Sequence, residues 1–211
     1  MTVQRVPDLR QQVLDQLRED ISSGAIADDE KLTEMTVAGR YNVSRTPARE
    51  ALALLVQAGL LAPEGRGYRV PSFSKADIDD VFEVRRLVEP YAMGCIARDA
   101  TDADLKAMLK FVAAEVKKTG DNLSYVKGNQ RIRARILSLL GNAKLQAVIA
   151  TFDDQLVFIR RQTLREPLIR QISAQGNLKL AEALAARDVA AAEACMTSLL
   201  SEAQRAIVSL I

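Results

Sequence analysis

The residue that most limits what this chain can fold into is Pro47, inside the run Val43-Ser44-Arg45-Thr46-Pro47-Ala48-Arg49-Glu50-Ala51-Leu52. A proline lacks the backbone N–H and its ring collides with the preceding turn, so a helix accepts it only in the first turn. Ser44, just ahead, is a favoured N-cap because its hydroxyl can accept from an otherwise unpaired first-turn N–H. A helix therefore starts at Ser44. At a period of 3.6 residues, Ala48, Ala51, Leu55 and Ala58 share one side, while Arg45 and Arg49 stack on another with Thr46 beside them. One side is built to be buried and the other is offered outward.

The flanks define the unit. Glu34 to Tyr41 predicts a short helix, Asn42 suits a tight turn, and Val43 is the apolar residue that pins the two helices together. After Gly59 come Leu60-Leu61, a turn at Pro63-Glu64-Gly65, and Gly67-Tyr68-Arg69-Val70, which predict a two-stranded wing with Arg66 at its tip. Upstream, a helix over Asp8 to Ser23 buries Val13, Leu14, Leu17 and Ile21 and stops at Gly24, with residues 1 to 7 frayed and Pro7 near its start. This is a winged helix-turn-helix.

Such a unit reads DNA for physical reasons. A helix fits the major groove, an arginine there can donate two parallel hydrogen bonds to guanine O6 and N7, and Thr46 can reach a base edge or a phosphate. Charge is distributed accordingly: residues 1 to 37 hold four basic and eight acidic side chains, whereas 38 to 70 hold five arginines against Glu50 and Glu64. The bland alternative is that Arg45 and Arg49 form an ordinary solvated face. The cap, turn and wing around them favour the DNA reading.

Val43 to Leu52, with Gly59-Leu60-Leu61 ahead of the Gly65-Arg66-Gly67 wing, resembles the GntR family of bacterial transcription factors over about residues 8 to 71. The resemblance implies operator binding, with Arg45, Thr46 and Arg49 in the groove, Gly65, Arg66 and Gly67 as the wing, and Glu34, Arg40 and Ser44 in the same interface. The family usually has an arginine directly after Glu34, where it helps read the operator; this chain has Met35. Arg40 is the candidate to replace some of that arginine's phosphate affinity.

Pro71-Ser72-Phe73-Ser74 reads as punctuation, giving a DNA-binding domain over 1–71, a linker over 72–74 and a second domain over 75–211. From Lys75 onward the pattern is helical, with helices expected at about 75–99, 102–119, 122–140, 143–164, 167–186 and 188–210. Ser74, Thr101 and Asp121 are the expected N-caps, Gly120 and Gly141 the expected stops, and Pro90 should bend the first helix. The fold class is mainly α: a winged helix-turn-helix followed by an antiparallel six-helix bundle, a form that places ligand sites between facing helices. Glu83 to Ala92, Leu139 to Asn142 and Glu182 to Ala194 resemble the FCD-type effector domain of the FadR branch of GntR regulators, and the helix count suits its VanR-like subgroup.

In that effector domain many members hold a divalent metal through one aspartate and three histidines, and the metal receives the effector's carboxylate. This chain has no histidine. Aligned on Leu139 to Asn142 and on Arg187-Asp188, the ligand positions fall on Asn129, Arg133, Asn177 and Leu199. Amide, guanidinium and alkyl groups are not transition-metal donors, so neither metal nor other cofactor is expected. Arg133 instead suggests direct capture of a carboxylate or other anionic effector, with Asn129 and Asn177 as hydrogen-bonding neighbours and Arg85, beside Glu89, as a second candidate. Equally open are an exposed basic face for Arg131 to Arg135 and a structural ion pair for Arg85 and Glu89.

Lack of histidine also removes Ser-His, Cys-His and His-Glu-x-x-His chemistry, and no phosphate-cradling glycine loop is present. Asp153 and Asp154 are adjacent, so they project differently and make a poor acid–base pair. No enzyme is expected. Cys95 and Cys195 read as two reduced, buried small residues, with a redox switch as the alternative. No long apolar run or signal-peptide order is present, which predicts a cytoplasmic chain with no membrane partner. The reading is a ligand-responsive regulator, a repressor, binding a palindromic operator as a homodimer. Its alternative is a helical interaction protein or small-molecule-binding bundle without a DNA role.

Overall fold

The computed structural model describes residues 8–27, 29–118 and 122–210, without the side chains of residues 122, 123 and 154–162. The expected fraying of residues 1 to 7, Pro7, the stop at Gly120 and the cap at Asp121 lie outside the described residues. The chain divides into two compact units, Met1–Ser72 and Phe73–Ile211.

In the first unit, α1 (Leu9–Ser23), α2 (Glu34–Arg40) and α3 (Arg45–Gln57) precede a hairpin of β1 (Ala62–Glu64) and β2 (Gly67–Arg69). Helix α1 buries Val13, Leu14, Leu17 and Ile21 and ends at Gly24, whose φ of 82° lets its N–H reach the Asp20 and Ile21 carbonyls. Asn42 turns the chain between α2 and α3 with a φ of 52°. Helix α3 buries Ala48, Ala51, Leu52 and Leu55; Ala58 caps it and is half-buried. The wing differs from expectation. Pro63 lies within β1, paired with Tyr68, and the turn falls at Gly65-Arg66. Leu32 bridges the other side of Tyr68 through two backbone hydrogen bonds of 2.8 Å, so β1 is the outer strand and tolerates a residue without an N–H.

The second unit contains α4 (Lys75–Asp99), α5 (Asp102–Glu115), α6 (Asn122–Leu137), α7 (Ala143–Thr163), α8 (Pro167–Ala185) and α9 (Val189–Val208). Ser74 caps α4 with a reciprocal bond from its own N–H to Asp77, and Thr101 caps α5. Helix α6 stops before Gly141, and Asn142 caps α7 by accepting from Lys144 and Leu145 N–H at 3.1 Å. Helix α4 continues through Pro90 and lies chiefly against α9, which also packs on α8. Small residues let side chains of α9 lie close to its neighbours: the Glu193 carboxylate rests against Gly94 and the Leu199 side chain against Gly176. Ile78, Phe82, Met93, Met108, Leu184 and Leu200 represent the core. Arg187, with a φ of 57°, donates to the Ala97, Arg98 and Ala100 carbonyls and so closes the C-terminus of α4.

Candidate nucleic-acid interface and ligand cavity

Within the winged unit, the five arginines between residues 38 and 70 separate into two groups. Arg40 pairs with Glu30 at 2.7 Å and Arg69 with Glu64 at 2.9 Å. Arg45, Arg49 and Arg66 are exposed and form no ion pair with a described residue. Arg45 and Arg49 lie one turn apart on α3 with Thr46 exposed beside them, and Arg66 occupies the wing tip between Gly65 and Gly67. Arg40, expected as a phosphate donor, is exposed at the end of α2 and forms its ion pair at the surface.

Ser44 precedes α3 in extended conformation, but its hydroxyl accepts no first-turn N–H, contrary to the capping expected of it. It is exposed, and Glu34 is half-buried in the first turn of α2. Gly65 adopts a φ of 58°, which the turn needs. Gly67 is required for space: an added Cβ would lie 2.5 Å from the Leu32 carbonyl oxygen. Met35 is 65% exposed where the family's arginine would stand.

The second unit holds a cavity of about 120 Å³, partly open to solvent, and Arg85, Asn129, Arg133, Asn177 and Leu199 all line it. Residues from four helices, 114 positions apart at the extremes (199 − 85), thus converge. Arg133 is only 15% exposed, so it is not part of an exposed basic face. Its Nη1 donates to Glu89 at 2.9 Å and its Nε to Asp153, while Nη2 is buried without a hydrogen-bond partner. Arg85 is buried over the Phe82 ring and donates to the other Glu89 oxygen at 2.6 Å. Burial alone would raise the Glu89 carboxyl, but Arg133 and Arg85, by charge and hydrogen bond together, outweigh it and hold the group at about 2. Burial opposes the charge on Arg133 as well; Glu89 and Asp153 more than offset it and push its pKa up.

Two participants were not legible as site residues. Asp153, read only as half of a poor acid pair, neutralises Arg133 across α6 and α7; the Asp154 side chain lies outside the described residues. Ser173 accepts from Asn129 at 3.1 Å and from Asn177 at 3.4 Å. Its position one turn before Asn177 on α8 was the available clue. The Tyr125 hydroxyl is buried beside these three side chains without a well-formed bond to any, and burial pushes its pKa up.

This constellation does not fit a metal. The four positions implied by the resemblance do converge, but two amides, an alkyl group and a guanidinium replace the donors, and Arg133 would repel the cation. Among the described residues no group of three or more His, Cys, Asp or Glu side chains could hold an ion. Cys95 and Cys195 are free and half-buried rather than fully buried, and Arg98 donates to the Cys95 sulfur at 3.4 Å. No described helix is long and apolar enough to cross a membrane.

Comparison with known proteins agrees with this division. Residues 9–70 match the bacterial regulatory proteins of the gntR family, and residues 80–202 match the FCD domain. The HTH-type transcriptional regulator YdhC of Bacillus subtilis is 25% identical over 153 residues, covering 71% of this chain and 68% of that one. The gluconate operon transcriptional repressor of Bacillus licheniformis is 30% identical over 114 residues, 52% of this chain; the match spans 47% of the repressor, about half its length. Among solved structures, Escherichia coli McbR/YncC superposes with a TM-score of 0.84 over 97% of this chain and 99% of its own, at 20% identity, a likeness of fold. These relatives are regulators rather than enzymes, and the chain belongs to the gntR family of bacterial transcriptional regulators, with an FCD domain following its winged helix-turn-helix.

Proposed function

We propose that this regulator is a repressor of the FadR branch, VanR-like in its six helices, which works in the cytoplasm and binds a palindromic operator as a homodimer. The observation that carries the DNA contact is the sorting of the arginines: Arg45, Arg49 and Arg66 are exposed and uncommitted, while their neighbours Arg40 and Arg69 are neutralised. Arg45, Thr46 and Arg49 enter the major groove, Gly65-Arg66-Gly67 follows the backbone, and Ser44 and Glu34 stand at its edge. Dimerisation is supported by a stripe on α4, where Val84, Leu87 and Tyr91 are 43%, 73% and 58% exposed on one side of the helix.

The helical unit takes a small carboxylate at the free edge of Arg133, with Asn129 and Asn177 beside it and Arg85 holding Glu89 in place. Ligand occupancy shifts helix packing and hence the paired reading heads; by linkage, DNA and ligand alter each other's affinity by the same factor. The test is an operator-shift assay on Arg45→Ala/Arg49→Ala at two salt concentrations. Each lost base contact is worth about 1–3 kcal/mol, so operator affinity should fall by about 100-fold or more. Unchanged affinity, or affinity insensitive to salt, refutes the DNA reading.

A further inference from the structure

The tip of the wing carries a second cation besides Arg66. We infer that Lys31, in the segment ahead of α2, is a further DNA-contacting residue, whose ammonium group meets a backbone phosphate beside the one that Arg66 follows. This rests on the DNA reading of the winged unit and adds a contact from outside α3 and the wing turn.

Leu32 fixes where Lys31 points. Leu32 is buried and exchanges two backbone hydrogen bonds of 2.8 Å with Tyr68, so this short extended segment runs along β2. Neighbouring side chains of an extended segment point to opposite faces, so with Leu32 in the core Lys31 stands outward over the hairpin. The surroundings of the two wing glycines agree. A Cβ built on Gly67 would lie 3.0 Å from Lys31 Cε and 3.2 Å from its Cγ, and one on Gly65 would lie 3.5 Å from Nζ. The stem therefore crosses the face of Gly67 and delivers its ammonium to Gly65, the residue before Arg66. A packed alkyl stem with a solvated head is a posture that lysine adopts readily.

The charge delivered there is uncommitted. Glu30, the preceding residue, pairs with Arg40, and Glu64, at the end of β1, pairs with Arg69. Lys31 is exposed and forms no ion pair with a described residue. Lys31 and Arg66 thus place two positive charges at one end of the hairpin. Two such groups suit neighbouring phosphates of one strand, and each phosphate neutralised releases a counterion. Lysine fits a phosphate better than a base edge: its ammonium is a point charge with three rotatable donors, whereas a guanidinium can fork onto guanine. In sequence the residue is hidden, because it follows the acidic run Asp28-Asp29-Glu30 and stands 35 positions before Arg66 (66 − 31).

The experiment titrates the full chain by fluorescence anisotropy, over a range of salt concentrations, against two labelled duplexes: one selected by the wild-type chain from a randomised pool, and a scrambled duplex of the same length. Lys31→Met keeps the stem and removes the charge. It should weaken binding to both duplexes by the same factor, about three- to tenfold, and lower the salt slope by about one, with the melting temperature unchanged. Lys31→Arg should restore affinity and slope. An effect of Lys31→Met confined to the selected duplex means that Lys31 reads a base, and overturns the phosphate assignment. Equal losses in Lys31→Met and Lys31→Arg give Lys31 a structural role in the wing and also overturn it. Unchanged affinity and slope in Lys31→Met, beside a large loss in Arg45→Ala/Arg49→Ala, overturn the inference and leave the DNA reading standing. If the wild-type chain selects no duplex from the pool, the DNA reading falls and the inference falls with it.

Discussion

Glu89→Gln tests whether two buried arginines depend on one carboxylate. Glu89 is fully buried and accepts from Arg85 through one oxygen and from Arg133 through the other. Its carboxyl titrates at about 2 rather than its ordinary 4.5. A depression of that size corresponds to about 3 kcal/mol of stability, an order-of-magnitude figure. Breaking a buried ion pair by removing one partner costs roughly 3–5 kcal/mol, which agrees. For a helical unit of this size the loss should lower the melting temperature by about 10 °C near neutral pH. The sign of the pH dependence follows from the direction of the shift. Because the folded value lies below the unfolded one, the contribution is complete above about 4.5 and is lost as pH falls through about 2. Circular dichroism melts at pH 7, 5, 4 and 3 should therefore show the wild-type advantage over Glu89→Gln constant at the first two values and shrinking at the last two. Equal melting temperatures at pH 7, or a gap that widens on acidification, would refute the reasoning.

Gly67→Ala should destabilise the wing by about 2 kcal/mol, since its Cβ meets the Leu32 carbonyl that accepts from Tyr68; faster amide exchange at Tyr68 is the readout, and unchanged exchange would contradict it. Met35→Arg restores the family's arginine at an exposed position and should tighten operator binding while steepening the salt dependence by about one unit of slope. Arg133→Ala should abolish the response to the effector while operator affinity in its absence stays within about threefold. Titration calorimetry giving the same effector affinity as wild type would defeat that expectation. Chelator treatment should leave the melting temperature of the wild-type chain unchanged, because the side chains at the implied ligand positions are not metal donors.

The helices were legible where local chemistry dictates them. Ser74 and Thr101 cap the helices they were expected to cap, and the α1 stripe is made of the four residues its periodicity selects. The wing was legible as a hairpin but not in register, because a proline on an outer strand looks like a turn in sequence; Leu32, which makes β2 interior, lies 36 residues before its partner (68 − 32). The failure of Ser44 to cap has a similar lesson. Composition identifies a residue able to cap, while the rotamer it adopts is not written in its identity. At the ligand cavity, family alignment brought Asn129, Arg133, Asn177 and Leu199 to one place, yet the partners that set their electrostatics were hidden. Arg133 meets Glu89 and Asp153 only through tertiary packing, and no helical period links residues 44 and 20 positions away (133 − 89 and 153 − 133).

Replacing a metal by Arg133 also limits how strongly a ligand can act. A divalent ion would leave net positive charge for an incoming acid, whereas this guanidinium is largely neutralised by Glu89 and Asp153 before any ligand arrives. On the proposed reading the carboxylate gains charge-assisted hydrogen bonds of about 1.5–3 kcal/mol each. Ordering and association subtract several kcal/mol, so an affinity nearer millimolar than nanomolar follows. Turning a two-state regulator from about 1:99 to 99:1 needs roughly 5.5 kcal/mol of differential binding, more than one weakly bound acid supplies. In the proposed homodimer two sites, each contributing to the same transition, bring the combined shift within reach. On that reading both cavities must fill before the chain switches fully, and the acid it answers to is abundant rather than a trace signal.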